Sequence, residues 1–398
     1  MLASLSLIFL VGLAMGAICQ KLKMPRIIGM LVTGIVLGPY VLDFLDPSIL
    51  SISSELRKLA LIIILLKAGL SLDLKDLKKA GRPAILMSFV PATCEIAGYI
   101  LFAPLLLGIN RIEAAVMGAV LGAVSPAVVI PRMVMLMEEK YGTKKAIPQM
   151  IMAGASCDDI FVIVLFTTFL SMAQGGSADI IDFVNIPVSI VLGILLGAVT
   201  GYGLYLFFET SYAHKHCVRN STKVIIVLGF SMLLVSIEGW LEGKVSVSGL
   251  LAVVSMACVI KIKSTASVSK RLSEKFGKLW IAAEVVLFVL VGAAVDIRYT
   301  LSAGIAAVFI IFIALIFRTA GVLICTIKTK LNMKERIFCV IAYLPKATVQ
   351  AAIGSVPLAA GLACGKIILS VAVLAIIITA PLGALGIDNT YKKLLEKE

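Results

Sequence analysis

Apolar residues run through this chain in long blocks, and short polar or charged segments separate them. Blocks of roughly 18–25 apolar residues are long enough to cross a hydrocarbon core as helices. They predict thirteen helices, at about residues 2–20, 26–44, 56–72, 82–108, 112–137, 147–172, 181–208, 221–238, 246–261, 277–295, 301–327, 336–361 and 366–387. The predicted fold class is an all-α polytopic membrane protein with about 13 transmembrane helices.

Charge orients these helices. With the N-terminus outside, every second loop and the C-terminal tail hold most of the 36 Lys and Arg, among them Lys21, Lys23, Lys78, Lys79, Lys144, Lys145, Lys270 and Arg271. Basic residues are retained on the cytoplasmic side, which predicts N-terminus out and C-terminus in, as an odd number of crossings requires.

Composition agrees. The chain is 60% hydrophobic and 15% charged, with mean hydropathy +1.08, where a soluble protein carries about a quarter charged residues. The net charge of +13 reads as the loop bias just described, not as a nucleic-acid surface. The first block lacks a basic n-region and an Ala-x-Ala cleavage site, so it is expected to be a retained helix. The eight cysteines are scattered, without a Cys-x-x-Cys, and read as packing residues.

Against this background, charges inside the blocks carry the chemistry. Asp158 and Asp159 stand side by side midway along 147–172. Each charge at mid-bilayer costs about 2.5–3.5 kcal/mol on the insertion scale. A pair is retained where it faces a watery cavity, a partner cation or a proton, which suits a site that trades a cation for protons.

The chain also repeats. Gly69-x-x-x-Asp73 aligns with Gly292-x-x-x-Asp296 at an offset of 223 residues, and the same offset puts Glu95 on Arg318 and Ser125 on Thr348. By the helix count these segments run in opposite directions, which predicts inverted repeats over helices two to six and nine to thirteen. Such repeats place the substrate near the bilayer midplane, where interrupted helices meet. Two interruptions are visible, at Gly122-Ala123-Val124-Ser125-Pro126 and at Pro345-Lys346-Ala347-Thr348. Proline removes a backbone donor and clashes with the preceding turn. A crossed pair of unwound helices is expected, with the Ser125 and Thr348 hydroxyls as cation ligands or as partners of the freed backbone.

Glu95 and Arg318 are both mid-span and are expected to pair as a structural or gating link between the halves. Lys346 has no carboxylate in its own span and is expected to neutralise Asp158 when no ion is bound, releasing it on losing its proton. Glu284 is ranked as an additional or structural residue, Lys67 as a snorkelling one, and Glu238 and Glu242 as solvated at the outer end of span eight.

These residues carry a resemblance. The chain resembles the monovalent cation:proton antiporter superfamily in its Asp-Asp branch, and Leu-Pro-Lys-Ala-Thr-Val-Gln-Ala-Ala-Ile-Gly at 344–354 is similar to the NHA-type sodium/proton exchangers. The resemblance covers nearly the whole chain. It implies a homodimer in which a core slides against a dimerisation domain in an elevator cycle. By family position, residues 1–80 are dimerisation helices one to three, and 81–175 are core helices four to six. Residues 176–298 are linker helix seven with dimerisation helices eight to ten, and 299–398 are core helices eleven to thirteen. The resemblance further implies that Asp159 is the principal cation and proton site, with Asp158 as its neighbour. An aspartate at 158, where electroneutral relatives carry asparagine, implies electrogenic exchange. Better-known members have a lysine where this chain has Arg318. Arginine does not give up its proton, which shifts attention to Lys346.

The reading is a secondary active Na⁺ or Li⁺/H⁺ antiporter of the cell membrane, with no cofactor and no nucleic-acid partner. Hard oxygen ligands from Asp159, Asp158, Ser125 and Thr348 suit a small alkali cation. The alternative is a Na⁺-driven organic anion symporter on a related inverted-repeat fold, with Arg318 and Lys346 holding the anion. A channel is disfavoured, since no filter loop of the potassium-channel kind is present. An enzyme is disfavoured because His214 and His216 lie in a loop away from the acidic pair.

Overall fold

The computed structural model describes residues 1–22, 24–71, 74–175, 180–213, 219–241 and 247–398. Lys23, Asp73, His214, His216, Cys217, Glu242 and Lys244 lie outside the described residues. Among the described residues the chain is helical, with one isolated bridge between Tyr141 and Lys397.

The helices in chain order are α1 (Leu2–Lys21), α2 (Arg26–Leu37), α3 (Pro47–Ser51), α4 (Ser53–Ser71), α5 (Leu74–Met87), α6 (Val90–Leu107), α7 (Arg111–Leu121), α8 (Pro126–Glu138) and α9 (Ile147–Gly175). They continue as α10 (Ile180–Ala213), α11 (Asn220–Leu241), α12 (Gly249–Lys263), α13 (Ala266–Ala293), α14 (Ile297–Cys325), α15 (Met333–Ala342), α16 (Thr348–Ile353), α17 (Val356–Ala359) and α18 (Gly365–Leu394). Every apolar block therefore has a helical counterpart. Nine helical stretches among the described residues are long and apolar enough to cross a membrane. The blocks at 26–44, 56–72, 246–261 and 336–361 correspond to the other four.

Two departures have plain causes. The block at 26–44 is helical only to Leu37, because Gly38 turns extended (ψ 173°) and Pro39 follows. The block at 336–361 is divided into α15, α16 and α17, as its prolines dictate.

The chain forms two compact units. The first comprises Met1–Arg57, Asp73–Gln174 and Val285–Glu398. Within it α6 lies along α14, α7 packs on α6, and α18 touches α7, α8, α14, α15, α16 and α17. Its tightest seam brings Gly34 of α2 against the backbone of Val289, where an added Cβ would overlap the carbonyl oxygen. In a membrane this close approach of backbones, not hydrophobic exclusion, is what holds helices together.

The second unit comprises Lys58–Leu72 and Gly175–Glu284. Here Gly193, Gly197 and Gly201, one turn apart on α10, face the backbone of Ser248, Ala252 and Met256 on or beside α12. The small-residue spacing lets dispersion contacts accumulate along both helices. Glu238, read as solvated, instead accepts the amide of Gly249 at 3.0 Å and caps the start of α12. Glu284 is buried and Lys67 half-buried.

On the polar side of the first unit, Lys145 Nζ donates to both oxygens of Glu335, at 2.8 and 2.9 Å. The hydrogen bond to Glu335 holds the Lys145 ammonium above lysine's ordinary range.

Candidate functional site: two interrupted helices with buried charges

Both interruptions start from the same local chemistry. α7 and α15 each open with a reciprocal capping box, Asn110 with Glu113 and Asn332 with Glu335. Both satisfy the N3 amide and the N-cap amide at once. α7 then ends at Leu121, and residues 122–125 are non-helical up to Pro126. Ser125 precedes a proline and sits in the extended region (φ −87°, ψ 108°). α15 ends at Ala342, and residues 344–347 are non-helical around Pro345. The two segments touch through their backbones: Ser125 N donates to Pro345 O at 2.8 Å.

An interrupted helix leaves amides and carbonyls that lipid cannot satisfy. Here buried side chains satisfy them. Arg318 on α14 donates through Nη1 to Gly122 O (2.5 Å) and through Nε to Tyr343 O (2.6 Å). Asp158 Oδ2 on α9 accepts the Val124 amide at 2.8 Å. Gln350 Nε2 donates to Ala123 O (2.8 Å), and Gln350 Oε1 accepts the Ala347 amide (2.7 Å). Thr379 Oγ1 on α18 accepts the Lys346 amide at 3.0 Å. One free backbone group after another finds a buried side-chain partner.

The charges share these contacts. Arg318 Nη1 lies 2.7 Å from Glu95 Oε2, and Arg318 Nη2 lies 3.1 Å from Asp158 Oδ2. Lys346 Nζ lies 2.7 Å from the same Glu95 oxygen and 3.5 Å from Ala123 O. All four side chains are fully buried. The Glu95–Arg318 pair is therefore present, 223 residues apart in the chain. The expected Lys346–Asp158 pairing is not: Lys346 reaches Glu95, and Arg318 takes Asp158. The guanidinium fork serves four acceptors at once, Glu95, Asp158, Gly122 O and Tyr343 O, one more than an ammonium has donors.

Asp159 follows Asp158 on α9, about 100° further round the helix, and is 6% exposed. Asp159 Oδ1, Asp158 Oδ1, Glu95 Oε1, Ser125 Oγ and Thr348 Oγ1 are buried oxygens without a hydrogen-bond partner. Buried polar atoms are ordinarily paired, and these five are among the unpartnered buried oxygens of the described residues, with Tyr99, Gln149, Thr168 and Tyr343. Among the described residues, no group of three His, Cys, Asp or Glu side chains forms a metal-binding cluster. The arrangement thus offers a few oxygen ligands beside a balanced set of two carboxylates and two cations.

Sequence reasoning singled out Asp158, Asp159, Ser125, Thr348, Glu95, Arg318 and Lys346, and hydrogen bonds tie Asp158, Glu95, Arg318 and Lys346 to one another or to the interrupted segments, with Ser125 joined through its backbone. Gln350 was missed. A neutral amide inside an apolar block gives no charge signal. The two Asn-x-x-Glu boxes were also missed, although that spacing ahead of an apolar run is a helix-start signature.

Residues 5–392 match the family model for the sodium/hydrogen exchanger, transmembrane. Sodium/hydrogen exchanger 9B2 from Homo sapiens is 34% identical over 387 residues, which cover 94% of this chain and 70% of that protein. Sodium/hydrogen exchanger 9B1 from Homo sapiens is 30% identical over 418 residues, covering 100% and 78%. The sodium proton antiporter MjNhaP1 from Methanocaldococcus jannaschii, solved at pH 8, matches with a TM-score of 0.83 at 20% identity over 99% of this chain and 98% of that one. At that identity the structural likeness speaks to the fold alone. The match across nearly the full length, together with relatives above 30% identity, places the chain in the sodium/hydrogen exchanger family.

Proposed function

We propose that this protein, a transporter by family and not an enzyme, is a secondary active antiporter exchanging Na⁺ or Li⁺ for H⁺, with both competing for Asp159. The carrying observation is a charge count. Glu95 and Asp158 are matched by Arg318 and Lys346 through contacts of 2.7–3.1 Å. Asp159 brings one further negative charge into the same buried region. An unmatched buried charge is costly, so the loaded forms, protonated or cation-bound, cross the membrane more readily than the empty form. That difference couples the two flows.

Asp159 holds the dehydrated cation, with Asp158 Oδ1 and the Ser125 and Thr348 hydroxyls as further oxygens. Asp158 stays bound to Arg318, so one proton exchanges for one cation. This stoichiometry departs from the electrogenic exchange that an aspartate at 158 led us to expect. The alternative of an organic anion symporter is weakened, because Arg318 and Lys346 are engaged with carboxylates and backbone carbonyls.

Around this site we place thirteen crossings with the N-terminus out and the C-terminus in, and a crossed pair of unwound helices. Core helices at 81–175 and 299–398 move in an elevator cycle against the dimerisation helices at 1–80 and 176–298 of a homodimer in the cell membrane. The test is purified protein in liposomes with an internal pH dye, challenged with Na⁺, Li⁺ and K⁺ in turn. Cation-dependent proton movement supports antiport and ranks the ions. Silence with every cation, alongside saturable uptake of a labelled organic anion, overturns it.

A further inference from the structure

Gln350 lies on α16, three residues beyond Ala347, and is fully buried. Its side chain ties the two interruptions together. Oε1 accepts the Ala347 amide on one segment at 2.7 Å, and Nε2 donates to Ala123 O on the other at 2.8 Å, with Leu121 O at 3.5 Å. The other side chains that tie them are charged: Arg318 holds Gly122 O and Tyr343 O, and Lys346 stands 3.5 Å from Ala123 O. Both cations also serve Glu95, and Arg318 serves Asp158. Their grip on the backbone therefore shifts whenever a nearby charge changes. The amide of Gln350 carries a donor and an acceptor in one neutral group, so its grip does not.

From this geometry we infer that Gln350 is a positioning residue for the ion site: a charge-independent clamp that holds Ala123 against Ala347, and with them the adjoining Ser125 and Thr348 hydroxyls. Ser125 lies two residues beyond Ala123, and Thr348 one beyond Ala347. The inference rests on the antiport reading for its transport consequences, but the clamp itself is independent of it.

The substitution Gln350→Glu gives the sharpest test. With its proton, a carboxylic acid donates to Ala123 O and accepts from Ala347 N, as the amide does. Without it, the carboxylate has no donor and faces a carbonyl oxygen. Lys346 shares Ala123 O with the new group, and once ionised that carboxylate would also draw it from Glu95. The remaining charged groups around the interrupted segments, Glu95, Arg318, Asp158 and Asp159, are common to native and variant. The readout is accordingly the ratio of variant to native kcat/KM for Na⁺ at each pH.

That ratio is expected to approach one near about pH 6 and to fall about tenfold by about pH 8.5, the worth of one lost buried hydrogen bond. Gln350→Met, with neither donor nor acceptor, should be impaired at every pH, mainly through a higher KM. Hydrogen exchange at the Ala347 amide is read in the same samples and should quicken about tenfold in Gln350→Met. A Gln350→Glu ratio that rises with pH, a native KM in Gln350→Met, or unchanged exchange at Ala347 overturns the clamp. If the native protein moves no protons with any cation, antiport fails, yet the exchange measurement still decides the clamp.

Discussion

The guanidinium of Arg318 lies 3.1 Å from Asp158 Oδ2 and 2.7 Å from Glu95 Oε2. The counter-ion of Asp158 is thus the one basic side chain that keeps its proton throughout any physiological pH range. A lysine in its place would be able to trade that role with a passing cation. With arginine there, the Oδ2 of Asp158 is held in place: it accepts Val124 N and braces the interruption before Pro126, while Oδ1 has no partner. On the proposed reading Asp159, outside the matched set, does the exchanging.

Replacing Arg318 by lysine tests this assignment. A lysine cannot reach Glu95, Asp158, Gly122 O and Tyr343 O together. Breaking buried charge pairs while leaving a partner behind costs about 3–5 kcal/mol. Arg318→Lys should lower the melting temperature strongly, as read by intrinsic fluorescence in detergent, and more than Lys346→Met, which removes fewer contacts.

The charge count also predicts how transport responds to voltage. If only Asp159 changes partner, one cation exchanges for one proton and no net charge crosses. Initial rates in liposomes clamped with K⁺ and valinomycin should then be the same at zero and at negative-inside potential. A rate that rises with potential would indicate a second proton, with Asp158 as the first suspect.

Helix approach in the second unit makes a separate prediction. A Cβ at Gly197 would overlap the Ala252 carbonyl, and overpacking of this kind costs about 1–3 kcal/mol, occasionally more. Gly197→Ala should lower the melting temperature, whereas Gly229→Ala on α11, which meets nothing within 4 Å, should not.

Lys145 and Glu335 allow a check on pH. The hydrogen bond from Lys145 to Glu335 raises the lysine above its ordinary range. A raised lysine contributes stability that is fully present below its unfolded value and lost only as pH climbs through the folded one. Lys145→Met should therefore lower the melting temperature equally at neutral and mildly alkaline pH. A gap that closes already near neutrality contradicts the pairing.

How much of this was legible in the residue order differs from feature to feature. Asp158, Asp159, Glu95, Arg318 and Lys346 stood out because a charge in an apolar block is expensive and conspicuous. Pro126 and Pro345 marked both interruptions for the same reason: each removes a donor the helix needs. The partner of Lys346 was not legible. Whether an ammonium meets Glu95 or Asp158 depends on how α6, α9 and the two interrupted segments pack, and sequence spacing does not encode that. Gln350 was invisible because an uncharged amide leaves apolar periodicity nearly intact. Asn110 and Asn332 could have been found from their Asn-x-x-Glu spacing, 222 residues apart and so one short of the offset of the other landmarks.

The most direct test of the account is Na⁺-driven proton movement by Asp159→Asn in liposomes, beside native protein, with folding checked by melting temperature and elution volume. The variant keeps the four matched charges and removes only the surplus one. The account predicts a folded protein with no cation-dependent proton flux. Sustained exchange by folded Asp159→Asn would contradict it and return the site to Asp158.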